Sequence, residues 1–262
     1  MSASPGEAPL PGTRPEGTSD EAAASARVQE MFSRIAPCYD FLNHLLSFSL
    51  DRMWRRAAAE RFLHILRRTD ARVLDVCCGT GDLAFALERT GARTREKHRC
   101  DAAIMASDFA APMLRLAATK AQARTSRVRF LGADALALPF RDESFDLVVC
   151  AFGFRNLSNY ERGLRELARV LKRGGELGIL EFNEPQKGTL ARMYRFYFTR
   201  ILPRIGGAIS RNAAAYSYLP ASVGKFPQAE EFRAWMERAG FRETHSSLRS
   251  FGAVALHTAK KI

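Results

Sequence analysis

The 262 residues suit one large domain, or a domain with a small appendage, with ample length for a buried core. Hydrophobic residues make up 47% of them, which excludes a wholly disordered chain, and no apolar run approaches the ~18 residues of a membrane span. The formal charge of +12 fits a nucleic-acid partner, an anionic membrane surface or a merely arginine-rich background, and it does not choose among them.

Five cysteines (38, 77, 78, 100 and 150) are odd in number and unevenly spaced, so a disulfide framework is not expected. No Cys/His pair has zinc-ligand spacing, and no metal is expected. Free thiols packed as small hydrophobes in a reducing cytosol account for them. No basic start leads into an apolar signal core, so the expected location is the cytoplasm.

Residues 1–26 are rich in Pro, Gly, Ala and Ser and read as a disordered tail. Glu7, Glu16, Asp20 and Glu21 argue against a mitochondrial presequence. The remainder, 27–262, reads as a single domain. Residues 27–70 are helical in pattern, with Trp54, Ala57, Ala58, Phe62, Ile65 and Leu66 recurring at three- and four-residue spacing. Strands at 72–76, 102–107, 128–132, 145–151 and 175–182 then alternate with helices at 82–90, 111–122 and 159–171. The core 71–182 is therefore expected to be a doubly wound, mostly parallel sheet, with its ligand beyond the carboxyl ends of the strands. The polar, basic stretch 92–101 reads as a lengthened loop. Residues 183–227 read as a helical insertion, with a helix at 189–202, a Gly206–Gly207 break and an irregular stretch to Phe226. Residues 228–262 supply a helix ending at Gly240 and closing strands, one of them at 253–257.

The sharpest local signal is Val73-Leu-Asp-Val-Cys-Cys-Gly-Thr-Gly-Asp82, an apolar strand running into a glycine-spaced turn and a helix. Gly79 and Gly81 let a ligand approach the backbone. A dinucleotide fingerprint would need glycine at 77 and 82, where Cys77 and Asp82 stand, and no Gly-Lys-Ser/Thr follows for a phosphate loop. Asp75 and Asp82 flank the turn. Carboxylates repel a pyrophosphate but suit an amino group, ribose hydroxyls and a sulfonium, which describes S-adenosylmethionine.

Asp108 ends the second strand, where it can accept from ribose hydroxyls, although a helix N-cap is the competing role. Asp134 follows the third strand and could bind an adenine amino group, with Ala135 offering its N–H; a plain turn residue is the alternative. The fourth strand opens into Phe152-Gly-Phe-Arg-Asn156, bringing Arg155 and Asn156 to the ligand end of the sheet. Arg155 could otherwise be a solvated loop charge.

Asp75-x-Cys-Cys-Gly-Thr-Gly-Asp82, Leu138-Pro-Phe140, Phe152-Gly-Phe-Arg-Asn156, Arg169-Val-Leu-Lys-x-Gly-Gly175 and Leu180-Glu-Phe182 resemble class I S-adenosylmethionine methyltransferases. Tyr39-Asp-Phe-Leu-Asn43, Leu202-Pro-Arg-Ile-Gly206 and Tyr216-Ser-Tyr-Leu219 narrow the resemblance to the UbiE-type C-methyltransferases of ubiquinone and menaquinone biosynthesis, over residues 28–259. Departures include Asp51 where that group usually has His, Arg173 for Pro and Asn183 for Ser. The resemblance implies a Rossmann-like, seven-stranded fold and cofactor contacts from Asp75, Gly79, Thr80, Gly81, Asp108, Asp134, Ala135 and Ala151. It also implies a polyprenyl quinol as substrate, with Arg155 holding the developing oxyanion and Tyr39 and Asn156 orienting the ring. No residue stands out as a general base; His44 could remove the proton, with a structural helix histidine as the competing role.

On helix 189–202, Leu190, Met193, Tyr194, Tyr197, Phe198 and Ile201 share a face, with Arg192 and Arg195 elsewhere. Such a helix fits an anionic bilayer at the inner membrane face, or a cap buried on the sheet. A homo-oligomer is left open. A nucleic-acid methyltransferase is disfavoured because Ala-Phe-Gly-Phe follows strand four where Asn/Asp-Pro-Pro-Tyr/Phe would be needed. A cofactor-binding assembly protein without catalysis is disfavoured by the presence of Tyr39, Arg155 and Asn156.

Overall fold

In the computed structural model the described residues are 12–15, 17–93, 102–185, 192, 196–201 and 213–262. One seven-stranded sheet carries the strands β1 (Arg72–Val76), β2 (Ala103–Asp108), β3 (Arg129–Gly132), β4 (Phe145–Ala151), β5 (Leu171–Phe182), β6 (Phe241–Arg249) and β7 (Val254–Lys261). Their order is β3-β2-β1-β4-β5-β7-β6; all neighbours are parallel except those of β7, which runs antiparallel to both β5 and β6. This is the doubly wound, mostly parallel architecture expected from the alternation.

The central strands are apolar on both faces because both faces are covered. In β4, Leu147 and Val149 face one core cluster with Phe62, Phe85 and Leu87, while Phe145, Val148 and Cys150 face the other with Tyr160, Leu164 and Phe232. Phe62, Phe85 and Tyr160 are almost wholly buried, each stabilising the fold by roughly 1.5–3 kcal/mol. Gly178 lets β5 pass beneath Phe62, whose ring would lie 2.6 Å from an added Cβ.

Helix starts follow local chemistry. Helix α1 (Glu21–Ile35) is capped by Asp20, whose carboxylate accepts from Ala23 N–H at 2.8 Å. A short turn leads to α2 (Tyr39–Leu46), α3 (Leu50–Arg61) and α4 (Leu63–Leu66). Helix α5 (Asp82–Ala92) starts after Gly81 at φ +85°, and α6 (Ala111–Ala123) has proline in its first turn. Asn159 caps α7 (Tyr160–Val170), its Oδ1 accepting from Arg162 N–H at 2.9 Å.

Several boundaries differ from the sequence reading. Order begins before residue 27: Thr13 is buried, its N–H donates to Leu157 O at 2.7 Å, and α1 starts at Glu21. Strand β5 pairs from Leu171 onward, with residues 172–175 looping out where the register shifts. The irregular stretch expected before Phe226 contains α8 (Ala213–Lys225), which accommodates Pro220, and α9 (Ala229–Arg238) follows. The closing part has two strands, and β6 went unlocated because Arg242, Glu243, His245 and Arg249 interrupt its apolar pattern. Of the basic helix placed at 189–202, Arg192, Phe196 and a π-helical turn at Tyr197–Ile201 are described. Leu190, Met193, Tyr194, Arg195, the Gly206–Gly207 break and most of the loop 92–101 lie outside the described residues. Among the described residues no helix is long and apolar enough to cross a membrane.

Candidate active site

Strands β1 and β4 are neighbours, and the chain leaves their carboxyl ends toward opposite sides, which opens a crevice there. The crevice is a cleft of about 640 Å³, part of it open to solvent. Its floor is backbone under constraint. Cys77 after β1 and Phe152 after β4 have φ of +54° and +59°, a region that L side chains seldom occupy away from functional sites. Gly153 is fixed by the same crossing, because a Cβ on it would lie 2.4 Å from Cys77 Cβ. The opposite wall comes from α1, α2 and α6, where Ile35, Ala36, Ala110 and Met113 pack together with Phe32 and Tyr39.

Tyr39, Gly79, Asp108, Asp134, Ala135 and Asn156 line this cleft. Asp108, largely buried, accepts from Gly79 N–H at its Oδ2 and from Ala110 N–H at its Oδ1, both at 2.8 Å. It therefore serves as a turn and cap residue while retaining a further lone pair on each oxygen. Burial pushes its carboxyl above the usual range, and the backbone donors only partly offset this. Asp134 Oδ1 accepts from Leu136 N–H at 2.9 Å, so it too shapes a turn while facing the cleft. Gly79, at φ +55°, leaves space in front of it: an added Cβ would meet only the Tyr39 ring, at 3.8 Å.

Burial raises the Tyr39 hydroxyl above its ordinary pKa, opposed in part by the Arg155 charge, so Tyr39 stays a neutral donor. Asn156 is held from two sides. Its amide donates to Phe152 O at 3.4 Å, and its Oδ1 accepts from Tyr218 at 3.1 Å.

Five other sequence-predicted residues stand behind this lining. Arg155 is buried, not solvated; it pairs with Glu181 at 2.8 Å, and its guanidinium also donates to Phe152 O. Burial opposes its charge, but Glu181 outweighs burial and raises its pKa. Arg155 thus braces the loop that presents Phe152 and Asn156. Asp75 lies wholly buried under the glycine turn; its Oδ2 accepts from Ala84 N–H at 3.0 Å and its Oδ1 has no hydrogen-bond partner. Burial pushes its pKa up to about 8. Thr80 donates to Asp40 at 2.5 Å and accepts from Lys120 at 2.9 Å. Gly81 serves helix geometry, since an added Cβ would sit 3.0 Å from the Phe85 and Phe130 rings. Ala151 ends β4 opposite Leu180, half-buried.

A charged network beside the glycine turn escaped the sequence reading. Asp51 accepts from His44 Nδ1 and Ser47 Oγ, each at 2.8 Å, and pairs with Arg55. Burial works against the Asp51 charge, but Arg55 and the two hydrogen bonds outweigh it and hold the carboxyl below its usual range. Lys120 joins Asp40 at 2.5 Å to Asp82 at 2.9 Å, clamping α2 to the start of α5. The i, i+4 spacing of Asp51 and Arg55 was visible on α3; the Lys120 contacts join distant segments and were not. His44, Asp51 and Asp82 converge closely enough to invite a metal, but Arg55 and Lys120 already neutralise both carboxylates.

The donor set fits S-adenosylmethionine: Asp108 and Asp134 offer acceptor capacity at two strand ends, Gly79 leaves room, and among the described residues no lysine or arginine lines the cleft for a pyrophosphate. Asp75, with its unpartnered Oδ1, lies buried under the turn and does not line the cleft. A second depression, between α7 and residues 136–138, adjoins this cleft at Leu136. Its Arg169 is occupied by Glu166, Asp142 and the carbonyls of Leu138 and Phe140.

Solved structures share this architecture. A SAM-dependent methyltransferase from Thermotoga maritima superposes with a TM-score of 0.55 at 20% identity, covering 90% of this chain and 100% of that one. The (4+2)-cyclase SpnF gives 0.58 at 20% identity, covering 96% and 99%. At such identity the likeness concerns the fold alone. Curated relatives are much nearer in sequence. The demethylmenaquinone methyltransferase of Thermus thermophilus is 50% identical over 232 residues, 88% of this chain and 100% of the relative. That of Deinococcus radiodurans is 46% identical over 234 residues, covering 89% and 92%. The ubiquinone/menaquinone biosynthesis C-methyltransferase UbiE of Geobacter sulfurreducens is 43% identical over 238 residues, covering 90% and 88%. With the family profile matching residues 20–261, the protein belongs to the ubiE/COQ5 methyltransferase family.

Proposed function

We propose that this methyltransferase acts on demethylmenaquinol, moving a methyl group from S-adenosylmethionine to a ring carbon. The observation that carries this reading is one cleft shared by two sets of residues. Asp108, Asp134 and Ala135 sit at strand ends suited to an adenosine, and Tyr39 and Asn156 face them. The quinol assignment draws on the relatives named demethylmenaquinone methyltransferase at 50% and 46% identity.

When bound, S-adenosylmethionine would supply an electrophilic methyl group on a positively charged sulfur. Asp108 would accept from its ribose hydroxyls, Asp134 from its adenine amino group, and Ala135 would offer a backbone N–H. A neutral aromatic carbon is a weak nucleophile. Ionisation of the adjacent phenolic hydroxyl, with a pKa of about 10 like that of tyrosine, enriches it. Neutral Tyr39 can donate to the oxygen on which that negative charge develops, and Asn156 can orient the ring. Arg155, charged and fixed by Glu181, favours the anion from behind the loop. Phe152 lines the cleft and is backed by Trp54 and Phe182, with centroids 4.7 to 6.4 Å apart, and this apolar backing would help keep water from the reacting pair.

A related benzoquinol is the second reading, favoured by the relative whose name includes ubiquinone biosynthesis. The two are separated by offering the purified protein demethylmenaquinol and a 2-methoxy-6-polyprenyl-1,4-benzoquinol with labelled cofactor. Turnover should favour demethylmenaquinol; preference for the benzoquinol would reassign the substrate, and no transfer to either would overturn the reading. The protein is further proposed to work at the cytoplasmic face of an anionic membrane, where a long-chain quinol resides.

A further inference from the structure

Two surface tips each hold a largely exposed phenylalanine on a backbone that such a residue avoids, the Phe48 ring touching Tyr197 with centroids 5.8 Å apart. At the turn between α2 and α3, Phe48 and Ser49 have φ of +52° and +58°, and Phe48 is 75% exposed. At the turn between β6 and β7, Ser250 and Phe251 have φ of +47° and +58°, and Phe251 is 84% exposed. Asn or Gly would suit both positions better in water, so each tip is unfavourable twice, in conformation and in apolar exposure.

The tips are tied together, since Trp54 of α3 donates its indole N–H to Ser250 Oγ at 2.8 Å. Leu50, Met53 and Leu248 add exposed apolar surface beside them. Within the two tip segments the exposed charges are of one sign. Arg52 and Arg249 are exposed, while Asp51, the one acid in 47–56, is buried against Arg55, and 245–253 contain no acid. The same Trp54 packs on Phe152 of the cleft wall, with ring centroids 6.0 Å apart, so an aromatic path joins the tips to the site.

We propose that the paired tips insert Phe48 and Phe251 into an anionic lipid bilayer, with Arg52 and Arg249 at the headgroups. Apolar rings flanked by cations suit the interfacial zone, where exposure no longer penalises the rings. This deepens the reading of a lipid-borne quinol, because it places the side of the protein that carries Trp54 against the phase holding such a substrate.

The test uses the full chain without substrate or cofactor. Binding is measured by co-sedimentation with vesicles of phosphatidylcholine alone and of phosphatidylcholine mixed with phosphatidylglycerol. The wild-type chain should bind the anionic vesicles, more weakly as salt rises. Phe48→Asn/Phe251→Asn should lower that partition by roughly tenfold or more per ring. Its thermal midpoint should hold or rise, since Asn tolerates positive φ, and turnover of a short-chain, water-dispersed quinol should be unchanged. If that variant does not fold, Arg52→Glu/Arg249→Glu decides instead and should abolish binding to anionic vesicles. Wild-type partition in the folded Phe variant, or in the Arg variant where that one decides, would overturn the proposal. So would absence of wild-type binding, or a dimer dispersed by the Phe variant with no vesicle binding, which would make a second copy the occupant. Vesicle binding without turnover of any quinol would overturn the substrate reading and leave the membrane face standing.

Discussion

Asp108 shows how one side chain serves both fold and ligand. Its carboxylate already fixes Gly79 and Ala110, so the site is shaped before any ligand arrives. Asp108→Ala should weaken S-adenosylmethionine binding by roughly 1.5–3 kcal/mol, about ten- to a hundredfold, in calorimetry; unchanged affinity would remove it from the site. Asp75 makes a prediction in pH. Its folded pKa is raised to about 8, so the unfolded chain releases this proton first. Stability from this group is full below its ordinary pKa of 3.8 and falls as pH rises toward about 8. Asp75→Asn should flatten that fall, gaining on wild type between mildly acid and neutral pH in urea denaturation; parallel curves would contradict it. These acids were legible in the sequence because each ends an apolar strand. That Asp75 is sealed beneath the turn was not, since depth depends on how α5 packs over it.

Among the elements, the α2–α3 turn is held by Asp51. Hydrogen bonds from His44 and Ser47 and the Arg55 pair close the turn, so the aspartate has a defined local role. Asp51→Ala leaves buried Arg55 with Asp82, at 4.0 Å, as its one remaining carboxylate among the described residues, and should cost about 3 kcal/mol in denaturant unfolding. A change below about 0.5 kcal/mol, the level of an exposed pair, would contradict the network. Periodicity located the helices and strands of the core because each has an apolar face. It passed over α8, whose Pro220 argues against a helix, and β6, whose charged residues follow no alternation. In both, packing against the finished domain decides the structure more than local pattern does.

At the scale of the molecule, strand order brings residues far apart in sequence to one crevice. The mostly parallel sheet was legible from the alternation of strands and helices; the union of Tyr39 with Asp108 and Asn156 came only with the resemblance to known enzymes, since it needs the cap to fold over the sheet. Arg155→Lys should test that union, lowering turnover more than cofactor affinity because an ammonium cannot reproduce the planar fork toward Glu181 and Phe152 O. Equal losses in both would make the arginine purely structural. Carbon methylation of a reduced ring activated by an ionising hydroxyl is tested by incubating the purified protein with labelled S-adenosylmethionine and either demethylmenaquinol or its oxidised quinone, then locating the label by mass spectrometry. Label is expected on a ring carbon of the quinol with little on the quinone; equal labelling of the quinone, or label on oxygen, would contradict this mechanism.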